Sequence, residues 1–218
     1  MNLTEIVRNR HSCKAFDATR KISAADWAQL KSALVHAPSA TNAQPWRFIV
    51  AQTDAGRARI MQSMTDPHFV ANAAKVKNAS HAVVLCARKS LDAAHLKAVL
   101  DAEDKAGRFA SPDIKAMQAK GRDYYVNFHR ERGNEAEWFA RQVYIALGFL
   151  LMGAAMLGID ACTLEGFDAE ALDRELGLHE LGQTAVIVVA LGYRSADDFN
   201  AALPKSRLPE DAVLSEIG

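Results

Sequence analysis

Glu135-Ala-Glu-Trp-Phe-Ala-Arg-Gln-Val-Tyr-Ile-Ala-Leu-Gly-Phe-Leu-Leu-Met-Gly-Ala-Ala-Met-Leu157 is the stretch whose reading decides the fold. Asn134 before it and Gly158 after it are the residue types that start and stop helices. From Val143 to Ile159 it runs seventeen residues without a charge, a little short of the ~20 that cross a bilayer. Trp138, Arg141 and Asp160 bound the run, which reads as a helix enclosed by protein. A helix apolar all round must be buried in a core or in an oligomer interface, and its length favours both at once. Gly148, Gly153, Ala154 and Ala155 keep its surface low enough for another backbone to approach.

Working outward, Ser111-Pro-Asp113 opens a preceding helix to about His129, with Tyr124, Tyr125 and Phe128 near its end. Before that, Asp92 to Lys105 is helical. His81–Ala87 reads as a strand buried on both faces because its apolar run is continuous. Trp46–Gln52 is an earlier strand, closed by a turn at Thr53–Gly56. A helix then runs to about Met64, and a short one over Val70–Lys77 places Asn72 and Lys75 on one face. Further upstream, Asn2-x-x-Glu5 starts a helix through Arg8. Ser23-x-x-Asp26 starts another, with Trp27, Leu30 and Leu34 on one side, and Pro38 stops it. Downstream lie a strand at Ile159–Thr163, a helix from Asp168 to Gly177 and a buried strand at Thr184–Gly192. A final extended arm carries Ala212–Ile217, able to add a strand to some sheet. Many helices and few strands predict an α+β fold over residues 1–218, a single domain with a small mixed sheet wrapped by helices.

Of the 218 residues, 50% are hydrophobic and 24% charged, which excludes disorder. The 26 Lys/Arg match 26 Asp/Glu, so a general nucleic-acid binder is not expected. Residues 1–60 hold nine Lys/Arg against four acids, a local surplus that suits one anion site better than a basic face. The three cysteines, Cys13, Cys86 and Cys162, are widely spaced, and no apolar leader follows Met1. Both features predict a reduced, cytoplasmic protein without a membrane anchor.

Two cationic clusters carry the chemistry. Arg10-His-Ser-Cys-Lys14 holds two fixed cations, a hydroxyl and an imidazole, and Lys205-Ser-Arg207 sits between Pro204 and Pro209. Arg, Lys and a nearby hydroxyl hold phosphate through charge-assisted hydrogen bonds, so the fold is expected to bring both ends around one anionic cofactor. The plainer alternative is two solvated basic loops. Pro38-Ser-Ala-Thr-Asn-Ala-Gln-Pro45, stiffened at both ends, suits the presentation of amides and hydroxyls, or is an ordinary turn. Glycine-rich dinucleotide and P-loop signatures are absent, and no zincin or G-x-S-x-G pattern occurs. Cys13, flanked by His11 and Lys14, is the one nucleophile candidate, its thiol lowered if those cations face it.

Arg10-His-Ser-Cys-Lys-Ala-Phe-Asp17, Pro38-Ser-Ala-Thr-Asn-Ala-Gln-Pro-Trp46, Glu165-Gly-Phe-Asp168 and Leu203-Pro-Lys-Ser-Arg-Leu-Pro209 resemble the bacterial nitroreductase family. The nearest likeness is to its oxygen-insensitive NAD(P)H nitroreductase and dihydropteridine reductase group, in order along the whole chain. The resemblance implies a homodimeric flavoprotein with FMN in two clefts at the subunit interface. By that match Arg10, Ser12 and Arg207 hold the ribityl phosphate with His11 beside it. Lys14 and Lys205 lie near the pyrimidine edge of the ring, where reduction adds negative charge. Asn72 and Lys75 reach the ring from the short helix, and Glu165-Gly166 presents backbone at N5. Pro38, Ser39 and Asn42 come from the partner, while Thr41, Ala71 and Tyr125 match substrate-pocket positions. The long apolar helix becomes the dimer core, and the C-terminal strand joins the partner's sheet. The implied reaction is ping-pong, two electrons passing from NADH or NADPH to small-molecule oxidants such as nitroaromatics and quinones. The flavin carries the chemistry, so no side chain is assigned a catalytic role.

Three other readings compete. The main role could be reduction of dihydropteridines, quinones or azo compounds; the protein could be a non-catalytic flavin sensor or store; or it could be a flavin-free phosphate-binding module. The sequence departs from the family pattern at Ala40, where Ser is common, at Ala71, where an aromatic often stands, and at Tyr125, where relatives carry Phe. A small residue at 71 is expected to widen the pocket mouth and leave FMN binding alone. Ala71→Phe should therefore change the kinetic ranking of large against small nitroaromatics; an unchanged ranking would remove Ala71 from the pocket.

Overall fold

Strands β1 (Trp46–Ala51), β2 (His81–Arg88), β3 (Asp160–Leu164) and β4 (Gln183–Gly192) form a sheet of order β1-β2-β4-β3 in the computed structural model, which describes residues 2–218. β2 and β4 are the apolar runs, and they take the two central places where both faces are covered. All three pairings are antiparallel, which corrects the expected mixed sheet. The parallel component is an isolated bridge between Ser12 and Ala161 at the β3 edge. Helices separate the strands in sequence, which does not by itself fix their relative sense. Two helices stand between β1 and β2, and the chain returns in the opposite sense.

Around the sheet lie α1 (Leu3–Asn9), α2 (Ala24–Val35), α3 (Asp54–Met61), α4 (Val70–Asn78), α5 (Ala93–Lys105), α6 (Pro112–Glu131), α7 (Glu135–Met156), α8 (Ala169–Leu176) and α9 (Glu210–Val213). Their starts follow the capping chemistry. Asn2 and Glu5 close a capping box, and Ser23, Ser111 and Asp168 each accept a first-turn amide. Asn134 departs from expectation: its side chain does not cap α7 but meets His129 Nδ1 at 2.8 Å. Glu135 and Glu137 sit in that first turn instead, favourable to the helix dipole. Gly177 ends α8 with φ +66°, a left-handed conformation that glycine adopts without cost.

One face of the sheet, with Val83, Leu85, Ile187 and Val189, packs on Trp27, Leu30 and Leu34 of α2 and Phe139, Val143 and Leu150 of α7. The other face, with Val84 and Val188, packs on Ile60, Val76 and Leu172 together with Cys13, Cys86 and Cys162. The three cysteines are buried and unpaired with one another. By length and composition α7 could cross a membrane, yet one side of it is sheet-packed core. Its other side presents Tyr144, Ile145 and Phe149, all at least 41% exposed. Residues 201–218 are exposed throughout. The strand expected at Ala212–Ile217 is not formed in the single chain. Residues up to Val213 take the α9 turn, begun by Pro209 with Glu210 and Asp211 in its first turn, and extended chain follows at Leu214.

Among buried polar groups, His81 stacks on Trp27 with ring centroids 4.5 Å apart and meets Ser80 Oγ through Nδ1 at 2.9 Å. Burial, then the charges of Arg57 and Lys21, push its pKa from 6.5 down to about 4. The native state therefore holds His81 neutral where the unfolded chain binds a proton. Its contribution to stability is complete above pH 6.5 and is lost as pH falls toward about 4, a change of roughly 3 kcal/mol at most. Urea midpoints measured across this range should fall less steeply for His81→Phe than for the wild type, and equal slopes would show that His81 does not drive the loss.

Candidate functional site

The loop at residues 10–14 is laid along the outer edge of β3. Ser12 bridges Ala161, and Cys13 N donates to Ala161 O at 3.0 Å. Asp198, whose side chain is fully buried, holds the loop in place. It accepts from Lys14 N at 2.9 Å and Asn200 N at 3.3 Å, and pairs with His11 Nε2 at 2.9 Å. Burial acts to raise the Asp198 pKa, but the hydrogen bonds from His11 and the Lys14 amide outweigh it and hold the carboxyl below its usual range. Asn200 Nδ2 completes the clamp by donating to Ser12 O at 2.8 Å.

This clamp brings the two ends of the chain together. Lys205 Nζ donates to Arg10 O. Desolvation, then repulsion from Arg10 and Arg207, pushes the Lys205 pKa down. Arg10 and His11 also line a cavity of about 250 Å³ against α1, the end of α7 and β3. The candidate nucleophile fails here. Cys13 is fully buried, and burial followed by the charges of Asp198 and Asp160 raises its pKa strongly, the reverse of the expected lowering. The loop turns the thiol inward, away from the cations that flank it in sequence.

β3 ends in Glu165-Gly166, where α4 meets it. Asn72 Nδ2 donates to Gly166 O at 2.9 Å, and Lys75 Nζ donates to Asn72 Oδ1 at 2.9 Å and to Ala71 O at 3.1 Å. A Cβ on Gly166 would stand 2.7 Å from Asn72 Nδ2 and 3.0 Å from Phe69 Cδ1, so a larger residue would displace the Asn72 side chain. Burial first, with the charge of Lys14 acting the same way, lowers the Lys75 pKa. Among the described residues, Arg10, Lys14, Lys75, Lys205 and Arg207 form no ion pair with a carboxylate. An unpaired cationic cluster with two depressed lysines is a site that gains by taking up an anion.

Pro38, Ser39 and Asn42 are not brought to this cluster. Their loop lies on the buried side of α7, where Ala40 N donates to Gln142 Oε1 at 2.9 Å. It is strained, with positive φ at Thr41, Asn42 and Gln44. A buried pair that the sequence does not reveal, Arg122 and Glu103 at 2.6 Å, fixes it. Arg122 Nε donates to Thr41 O at 2.9 Å, and Asn42 Nδ2 to Glu103 Oε1 at 2.8 Å. Tyr125 is half exposed on the neighbouring α6, edge-on to Tyr124, whereas Ala71 sits on α4 beside Asn72. Sequence reasoning missed Asp198, Asn200, Glu103, Arg122 and Tyr144, whose hydroxyl donates to Glu165. Nothing in their local spacing marks them.

The sequence profile described as the nitroreductase family matches residues 7–193. The oxygen-insensitive NAD(P)H nitroreductase of Salmonella typhimurium is 45% identical over 218 residues, covering 100% of both chains. A crystal structure of a nitroreductase-like protein from Streptococcus mutans superimposes with TM-score 0.81 at 20% identity, over 99% of this chain and 98% of that one. A structure from Exiguobacterium sibiricum, described as a nitroreductase in complex with FMN, gives TM-score 0.74 at 20% identity, over 100% and 98%.

The clamp can be tested without any ligand. Asp198→Ala leaves the part-buried amides of Lys14 and Asn200 without an acceptor, which should cost about 1 kcal/mol. Asp198→Asn, still able to accept from both amides, should lose less. Urea unfolding, with amide exchange at Lys14 as the local readout, measures this. Wild-type values for both variants would mean that Asp198 does not hold the loop.

Proposed function

The chain belongs to the nitroreductase family, and we propose that it is an FMN-dependent NAD(P)H oxidoreductase that reduces nitroaromatics and quinones. The observation that carries this reading is the meeting of Arg10, Lys205 and Arg207, from opposite ends of the chain, with no carboxylate among the described residues paired to them. Such a donor set fits a phosphate dianion. Asn72 and Phe69 pack close against Gly166 and fix α4 beside this backbone, which suits its presentation to a flat ring. Bound FMN supplies two-electron hydride chemistry, taking up electrons from NADH or NADPH and passing them to a small oxidant.

The protein's own share is to bind, orient and compensate charge. Arg10, Ser12 and Arg207 are assigned to the phosphate, with His11 beside it. Lys14, Lys75 and Lys205 supply fixed positive charge along the ring, where reduction adds negative charge. Asn72, tied to Gly166 O and Lys75, sets the distance between α4 and the Glu165-Gly166 backbone. Pro38, Ser39 and Asn42 are assigned to a second copy's cleft, with Thr41, Ala71 and Tyr125 around the substrate mouth. That assignment is supported by the position of their loop on the far side of α7 from the cations, and by the exposed apolar face of α7 itself. The working form is therefore a cytoplasmic homodimer, with the exposed C-terminal arm lying on the partner.

The purified protein should show a flavin spectrum, bleach with NADH or NADPH without oxygen, and recover on addition of a nitroaromatic. Lys205→Ala and Arg207→Ala should each weaken FMN binding about 10- to 100-fold in a fluorescence titration, the loss of a charge-assisted bond. A colourless protein that takes up no FMN would overturn the assignment, and a yellow protein that no reduced nicotinamide bleaches would make it a flavin store.

A further inference from the structure

Glu165 is a carboxylate beside the cationic cluster, yet it pairs with none of the lysines there. Lys75 instead donates to Asn72 and to a backbone carbonyl. The Glu165 side chain turns the other way and accepts from Tyr144 Oη on the exposed face of α7. Lys14 and Lys75 are near enough for the charge of one to lower the pKa of the other, and a carboxylate freed to swing toward them would be drawn by Coulomb attraction. Something must hold it off, and the one hydrogen-bond partner of this carboxylate among the described residues is Tyr144.

We propose that Tyr144 is a positioning residue, whose hydroxyl holds the Glu165 carboxylate against α7 so that its charge stays clear of the flavin ring. This rests on the reading of Glu165-Gly166 as the backbone at the ring. Burial, then the hydrogen bond to Glu165 and its charge, push the Tyr144 pKa from 10.0 up to about 12, so the hydroxyl keeps its proton across the working range. The arrangement continues through backbone. Glu165 leads to Gly166, whose carbonyl accepts from Asn72, which in turn accepts from Lys75. Tyr144 thereby leaves the lysines free to serve the anionic reduced ring. A carboxylate released toward them would neutralise that charge and disfavour reduction.

The test uses the FMN-loaded protein, and its readout is the midpoint potential of the bound flavin by spectroelectrochemistry. Tyr144→Phe removes the donor and keeps the ring. It should shift the potential to more negative values, with FMN affinity within about twofold of the wild type. Glu165→Gln carries no charge to restrain, so adding Tyr144→Phe to it should produce no further shift. A Tyr144→Phe potential equal to that of the wild type overturns the inference, as does the same negative shift in the Glu165→Gln background. If the wild type takes up no FMN, the flavin reading itself has failed and the inference falls with it; a yellow protein with an unmoved potential sinks the Tyr144 role alone.

Discussion

Burying Asp198 with no exposed side-chain surface obliges the rest of the site to assemble around it. A carboxylate taken out of water must be fully hydrogen-bonded or it shifts its pKa and neutralises. Its donors here come from segments more than 180 residues apart, the His11 ring and Lys14 amide on one side and the Asn200 amide on the other. Satisfying it therefore fixes residues 10–14 against the β3 edge and positions the chain from which the C-terminal cations emerge. The like charges of Arg10, Lys205 and Arg207 repel, and the Asp198 clamp is part of what keeps those segments together. The cations stay unpaired because the nearby carboxylate is spent on positioning.

The same division between positioning and binding groups appears on the far side of α7. Three positive-φ residues within four positions are costly for side chains with a Cβ. Arg122 and Glu103 are almost completely buried and so hold the loop rather than face a ligand. A buried pair is a poor source of net stability, because desolvation offsets its attraction. It is a good source of geometry, since breaking either partner leaves a buried charge exposed to nothing. That is the property a strained loop requires, and it suits the role proposed for Pro38, Ser39 and Asn42.

Much of the fold was legible because it follows from local rules. The unbroken apolar run at residues 81–87 could only be a central strand, and the caps at Ser23, Ser111 and Asp168 are residue-level signals that held. The sense of strand pairing was not legible. It depends on where two intervening helices return the chain, and no residue in β1 or β2 encodes that alone. The cationic residues were visible as clusters in sequence, and the resemblance of four motifs to the nitroreductase family gave them roles. Their positioning groups were invisible. Glu103 and Arg122 are 19 residues apart and Tyr144 and Glu165 are 21 apart, on different elements, and each reads alone as an ordinary solvated polar residue. The candidate nucleophile Cys13 falls away for the same reason: sequence neighbours are not spatial neighbours when a loop turns its side chain inward.

α7 shows why a single chain leaves the proposed site incomplete. Its residues alternate between a face packed on the sheet and α2 and a face presenting Tyr144, Ile145 and Phe149. The strained loop rests at the first face through Gln142, and the Glu165 strand end meets the second through Tyr144. A second copy of that helix would let residues attached to its opposite sides close on one ligand, which is the geometry of the proposed homodimer. The apolar character that made this stretch resemble a membrane span is then the requirement for covering both sides with protein, the sheet on one and the proposed partner on the other. On this argument Tyr144 stands where the proposed dimer face and the proposed flavin site share one hydrogen bond, so repacking α7 around it would act on Glu165 directly.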